Sequence, residues 1–163
     1  MFNIGDRVVY PMHGAGVIEA IEEREVLGER QKYYIMKLPI GDMRVMIPTR
    51  SVNEVGLRQV IDAAGVERVF EVLRGQQTKM SSNWNRRYRA NMEKIKSGDI
   101  YEVAEVVRNL TLRDHEKGLS TGERKMLENS RQILVSEIVL AMNSDEDQVR
   151  SMVDRVLAEA ASS

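Results

Sequence analysis

The spacing of apolar residues changes once along this chain, and that change constrains the fold more than any other feature. Up to about Val55 the apolar residues come in short runs of roughly period two, broken by turn signals. Residues 7–10 form one run, after which Pro11-Met12-His13-Gly14-Ala15-Gly16 reads as a turn into residues 17–24. Leu27-Gly28-Glu29 turns the chain into residues 32–38, and Pro39-Ile40-Gly41-Asp42 turns it into residues 43–47. Four or five short strands in about fifty residues predict a small Tudor-like or SH3-like barrel, since closing the sheet removes most exposed edges. From about Ile61 the period becomes 3.6, which places a boundary within 53–59.

Beyond that boundary every apolar face is helical. Val66, Val69, Phe70 and Leu73 share one face, and Gly75 ends that helix. Ile100, Val103, Val107 and Leu110 share another, with a stop near Lys117-Gly118. Ser120 and Glu123 form a capping box in which the hydroxyl and the carboxylate satisfy orphan amides, opening a helix through Leu127, Leu134 and Ile138. Ser144 with Asp147 resembles a second such start, and Val149, Val153 and Val156 supply its apolar face. With a further helix beginning near Trp84, the expectation is an α+β chain: a barrel at 1–55, then a compact all-α domain of about five helices at 60–163.

The chain has 163 residues and no cysteine, which excludes disulfides, thiolate ligands and a cysteine nucleophile. A cytoplasmic protein is expected. Residues 1–7 lack the basic and apolar segments of an export signal, and no run approaches the ~18 apolar residues of a membrane span. His13 and His115 fall in different expected domains, without the spacing of a zinc helix. Gly14-Ala15-Gly16 leads into a strand rather than a helix, so it is not a phosphate loop. Glu22-Glu23 has no buried environment to raise a carboxyl pKa. No catalysis, cofactor, metal or small-molecule substrate is expected.

The net charge is −1, yet between Arg74 and Lys96 seven basic residues face Glu93 alone, leaving six net positives. Within that segment Ser82 or Asn83 can cap a helix that starts at Trp84, the single tryptophan, and carries Arg86, Arg87 and Arg89. Free amides, the positive end of the helix dipole and three guanidiniums favour a phosphate, while the indole could stack on a base or wedge into a step. Trp84, Tyr88, Met92 and Ile95 also recur at helical spacing, so an ordinary buried stripe is the competing reading. A second basic pair, Arg124-Lys125, stands at another helix start.

These segments together resemble the CarD family of bacterial transcription regulators, in its short form. The resemblance is carried by Gly5 to Pro11, His13 to Gly16, Met43 to Pro48, Val55 to Arg58, Trp84 to Tyr88 and Gly122 to Leu127, in order across nearly the whole chain. It implies that the barrel binds the β subunit of bacterial RNA polymerase, with Arg24 and the strand bearing Arg44 and Met46 on the polymerase side. It implies also that the helical domain meets promoter DNA at the upstream edge of the transcription bubble, largely independently of sequence. Trp84 is then a minor-groove wedge, with Arg86, Met92, Arg124 and Lys125 beside it, and Arg87 in the same basic segment. Some family members carry a basic residue where Met46 stands. With Met43, Val45 and Ile47 inward, Arg44 and Met46 would point out, where a thioether can fill an apolar contact and the strand edge can pair with the partner. A monomer is expected. The rival reading, a protein-recognition barrel with a helical dimerisation domain and no nucleic acid, requires a buried Trp84.

Overall fold

The computed structural model describes residues 1–162. Five strands, β1 (Arg7–Tyr10), β2 (Gly14–Val26), β3 (Glu29–Lys37), β4 (Arg44–Pro48) and β5 (Arg58–Gln59), form one antiparallel sheet in the spatial order β4-β3-β2-β1-β5. Leu27 and Gly28 join β2 to β3 with φ of 53° and 80°, the left-handed pair of a tight hairpin whose twist matches its strands. An extra residue at Glu19 shifts the register between Ile18 and Ala20, so Ile18 faces the core while Ala20, Glu22 and Arg24 share the opposite face. Val8, Ile18, Tyr34, Met36, Ile47 and Leu57 meet in one buried cluster, drawing both ends of the sheet round a common core. The small barrel stays open, because β4 and β5 are not hydrogen-bonded neighbours.

Two local expectations are corrected. Gly14-Ala15-Gly16 is not the turn; residues 11–13 are, and β2 begins at Gly14, paired with Tyr10. The glycines are required by close approach: a Cβ on Gly16 would lie 2.5 Å from the Lys37 carbonyl oxygen, and one on Gly14 would lie 2.8 Å from Ser136 Oγ. Met43 precedes β4 and is exposed, leaving Ile47 buried and Val45 half-buried as the inward residues of that strand.

After a short helix α1 (Val52–Val55), five longer ones follow: α2 (Ala63–Arg74), α3 (Trp84–Lys96), α4 (Ile100–Lys117), α5 (Thr121–Met142) and α6 (Glu146–Ala161). Each of the five starts on a side-chain oxygen that accepts a backbone N–H, from Asp62, Asn83, Asp99, Ser120 and Asp145 in turn. The cap of α6 is thus Asp145, not Ser144, whose hydroxyl instead donates to Gln148. Val69, Leu73, Val103, Val107, Leu110, Leu134, Ile138, Val149 and Val153 form the shared core, with α5 packed on α4 and α6 and, on another side, on β2.

Polar groups determine how the sheet sits on α5. Glu137, wholly buried, accepts from both terminal nitrogens of Arg58 at 2.8 and 2.7 Å and from the Ile61 amide at 2.9 Å. Arg58 Nε donates to the Gly98 carbonyl at 2.9 Å, linking β5 to the α3–α4 turn as well. The Ala15 amide donates to Ser136 Oγ at 2.9 Å, and the Arg7 guanidinium donates to the Leu140 carbonyl and Asn143 Oδ1. Truncating Arg58 leaves the wholly buried Glu137 carboxylate without its counter-charge, so Arg58→Ala is expected to cost about 3–5 kcal/mol of stability. Denaturant unfolding checks this: the double variant Arg58→Ala, Glu137→Ala should lose less than the sum of the singles, and additive losses would contradict the pairing.

Candidate functional site

The residues expected on the partner side lie on one face of the sheet. Arg44 and Met46 are exposed on β4, which is hydrogen-bonded only through β3. Met46 stands opposite Ile35, Ile35 opposite Ala20, and Arg24 lies further along the same face of β2. From the Lys37–Arg44 pair to the Gln31–Arg24 pair is six residues of β3, roughly 20 Å at the rise of an extended strand. Arg44 is held by Glu19 at 2.8 Å and Arg24 by Glu22 at 2.7 Å, both in exposed pairs. The Arg44 hydrogen bond holds the Glu19 carboxyl below its ordinary range. Such exposed pairs exchange partners at little cost, so both guanidiniums remain available.

The second cluster lies where the N-termini of α3 and α5 converge. Trp84 is 41% exposed, its ring stacked on Tyr88 with centroids 4.9 Å apart and planes 18° from parallel. The expected apolar stripe is therefore graded: Ile95 is buried, Tyr88 and Met92 are half-buried against the helical core, and Trp84 emerges. Arg86, Arg124 and Lys125 are exposed, with Arg124 held loosely by Asp114 at 3.3 Å. Met92 lies two turns beyond Trp84, half-buried against the helical core.

Arg87 is corrected outright. It is 4% exposed, bonded through Nε and Nη2 to the buried Glu123 carboxylate at 2.7 and 3.1 Å, and its Nη1 donates to the Ser81 carbonyl at 3.1 Å. Three residues after Trp84 on a helix, a side chain faces nearly the same way but nearer the core, and here it braces α3 against α5 rather than meeting a phosphate. Its hydrogen bond holds the Glu123 carboxyl below the usual range, and Glu123 raises the guanidinium pKa in return, both against the opposing effect of burial. Ser120 and Glu123 were legible only as a helix cap, and nothing in their spacing shows that the carboxylate also receives Arg87.

The irregular segment 75–83 leading to Trp84 is pinned as well. The Thr78 amide donates to Asn109 Oδ1 at 3.1 Å, Asn109 Nδ2 donates to Thr78 Oγ1 at 2.7 Å, and the Thr78 hydroxyl and Lys94 both donate to Glu105, at 3.0 and 2.8 Å. Among the described residues no cluster of three or more histidines and carboxylates could hold a metal, and no helix is long and apolar enough to cross a membrane.

The chain matches two family profiles. The family profile for the CarD-like/TRCF RID domain matches residues 2–61, and that for CarD, C-terminal domain, matches residues 68–154. The chain is similar to the "Putative transcription factor YdeB" of Bacillus subtilis (strain 168), 43% identical over 151 residues that cover 93% of this chain and 99% of that one. Among solved structures, the 72-residue N-terminal domain of Myxococcus xanthus CarD is similar with a TM-score of 0.32 and 34% identity, over 36% of this chain and 79% of that one. CdnLNt from Myxococcus xanthus gives a TM-score of 0.33 and 44% identity, over 37% of this chain and 86% of that one.

Glu123→Gln tests the brace while keeping a capping-box residue. A carboxyl whose folded pKa lies below its unfolded value near ~4.3 stabilises the fold above that pH, and loses this as the pH falls through the folded value. The variant should melt well below the parent at pH 7, with the gap narrowing progressively in acid. A gap that is the same at pH 7 and pH 3 would show that the Glu123 charge is not coupled to folding.

Proposed function

The chain belongs to the CarD family of transcription factors, and from that premise we propose that it binds the β subunit of bacterial RNA polymerase and stabilises the promoter open complex. The sheet, with Arg24, Arg44 and Met46, is the polymerase-binding unit, and it takes in β5, beyond the boundary at 55 expected from the sequence. The helical unit at 60–163 contacts DNA at the upstream edge of the transcription bubble through Trp84, Arg86, Arg124 and Lys125. The observation that carries the reading is the emergence of the chain's single indole from a stripe that is otherwise half-buried or buried, beside exposed cations at two helix N-termini. The rival protein-recognition reading needs that indole buried.

The sheet suits a protein partner in two ways. β4 offers unpaired main-chain groups to an added strand, and its outward side chains alternate a guanidinium with a thioether. The helical unit suits a weak polyanion contact, since three exposed cations neutralise few phosphates and base edges are not addressed. Binding to polymerase raises the local concentration of that weak unit at the promoter, so neither half acts well alone. An aromatic wedge engages a step that is unstacked only in the opened state, and such differential binding shifts the closed-to-open equilibrium without catalysis. The protein works as a cytoplasmic monomer, with no cofactor.

Two substitutions separate the halves. Arg24→Glu should weaken binding to polymerase in a titration while leaving the melting temperature unchanged, and undiminished affinity would remove Arg24 from the interface. Trp84→Ala should retain polymerase binding and shorten the lifetime of promoter complexes after competitor challenge. A stacking contact worth roughly 1–3 kcal/mol corresponds to about five-fold to over a hundred-fold in the open-to-closed ratio. An unchanged lifetime would refute the DNA role of the indole.

A further inference from the structure

We infer that Ser120 is a positioning residue for Trp84, holding the indole in one orientation and taking up its sole polar group. The Trp84 Nε1–H donates to Ser120 Oγ at 2.9 Å, across thirty-six residues of sequence. That hydroxyl is fully committed: it also accepts the Glu123 amide at 3.2 Å and donates to Glu123 Oε1 at 3.2 Å. One donor and two lone pairs are all a serine hydroxyl has, so its rotor is fixed. Glu123 is fixed in turn by Arg87, which stands on the same helix as Trp84. The circuit therefore closes: indole to hydroxyl, hydroxyl to carboxylate, carboxylate to guanidinium, and back along α3 to the indole.

The ring has walls as well as a tether. Tyr88 stacks on one face, and Gly122 at the start of α5 lies alongside, where a Cβ would sit 3.4 Å from Trp84 Cζ2, at ordinary van der Waals contact. An exposed indole would otherwise sample several rotamers and lose that freedom on inserting into DNA, a loss worth about two-fold to ten-fold in binding. The tether removes it in advance. It also turns the only hydrogen-bonding atom of the indole toward the protein, so the ring edge left for a partner carries carbon alone. Such a surface wedges into a step without reading the bases, which accounts for a contact tolerant of sequence.

This inference rests on the reading of Trp84 as the DNA-contacting group, and the experiment separates the two. Ser120→Gly in the full-length protein removes the hydroxyl while keeping a residue that caps helices nearly as well, and Ser120→Thr restores the hydroxyl. Because there is one tryptophan, a ¹⁵N-labelled sample gives one indole N–H resonance. In the parent and in Ser120→Thr it should exchange slowly with solvent; in Ser120→Gly it should shift and exchange faster at little change in melting temperature. The open-complex lifetime of Ser120→Gly should fall about two-fold to ten-fold below the parent, less than for Trp84→Ala, with Ser120→Thr near the parent. An indole resonance that Ser120→Gly leaves unmoved overturns the tether. A lifetime shortened by Trp84→Ala but not by Ser120→Gly overturns the positioning role alone. A lifetime that neither changes overturns the DNA reading and this inference with it.

Discussion

The architecture depends on the carboxylate of Glu137. It is a charge with no access to solvent, and a buried charge is tolerable only when a partner of fitting geometry is brought to it. Apolar burial would press the sheet against the helices in many orientations, whereas a two-point guanidinium–carboxylate contact has one geometry. Arg58 makes that contact from β5, and β5 is hydrogen-bonded to β1, so meeting one charge orients the whole sheet. The Ile61 amide on the same carboxylate fixes the chain just before α2 begins.

A second buried carboxylate, Glu123, lies fourteen residues earlier on the same helix, about 21 Å away at the rise of an α-helix. One end of α5 thus holds the sheet and the other holds α3 with its indole. The helix is a spar, and the separation of the two candidate surfaces is built into its length. An adaptor that must touch two components of one assembly gains from such rigidity, because the entropy of bringing its halves into register is lost on folding rather than on binding.

Much of this was legible in the sequence where the signal is local. Alternation located four strands, periodicity located the five longer helices, and capping residues located three of their starts to within a residue. Long-range features were not legible. β5 is two residues long and exists only because β1 pairs with it. Arg58 and Glu137 are seventy-nine residues apart, and nothing in either neighbourhood shows that they meet. Spacing also cannot tell how far a helix projects beyond its neighbours, which is why the stripe from Trp84 to Ile95 supported both a buried and a contacting tryptophan. Arg87 misled for a related reason: a cation in a basic run is ordinarily solvated, and only the buried Glu123 on another helix explains its inward turn.

The open side of the sheet carries a consequence for the protein before it meets any partner. A strand with one unpaired edge accepts any extended chain of suitable register, including β4 of another copy, and edge-to-edge growth of that kind ends in insoluble aggregates. β4 carries the features that restrain it: five residues only, a charged Arg44 near one end, and Pro48 at the other, which has no N–H to offer an incoming strand. A substitution that flattened or lengthened this edge, or replaced Arg44 with an aliphatic residue, would leave the fold intact and still lower the concentration at which the protein stays in solution.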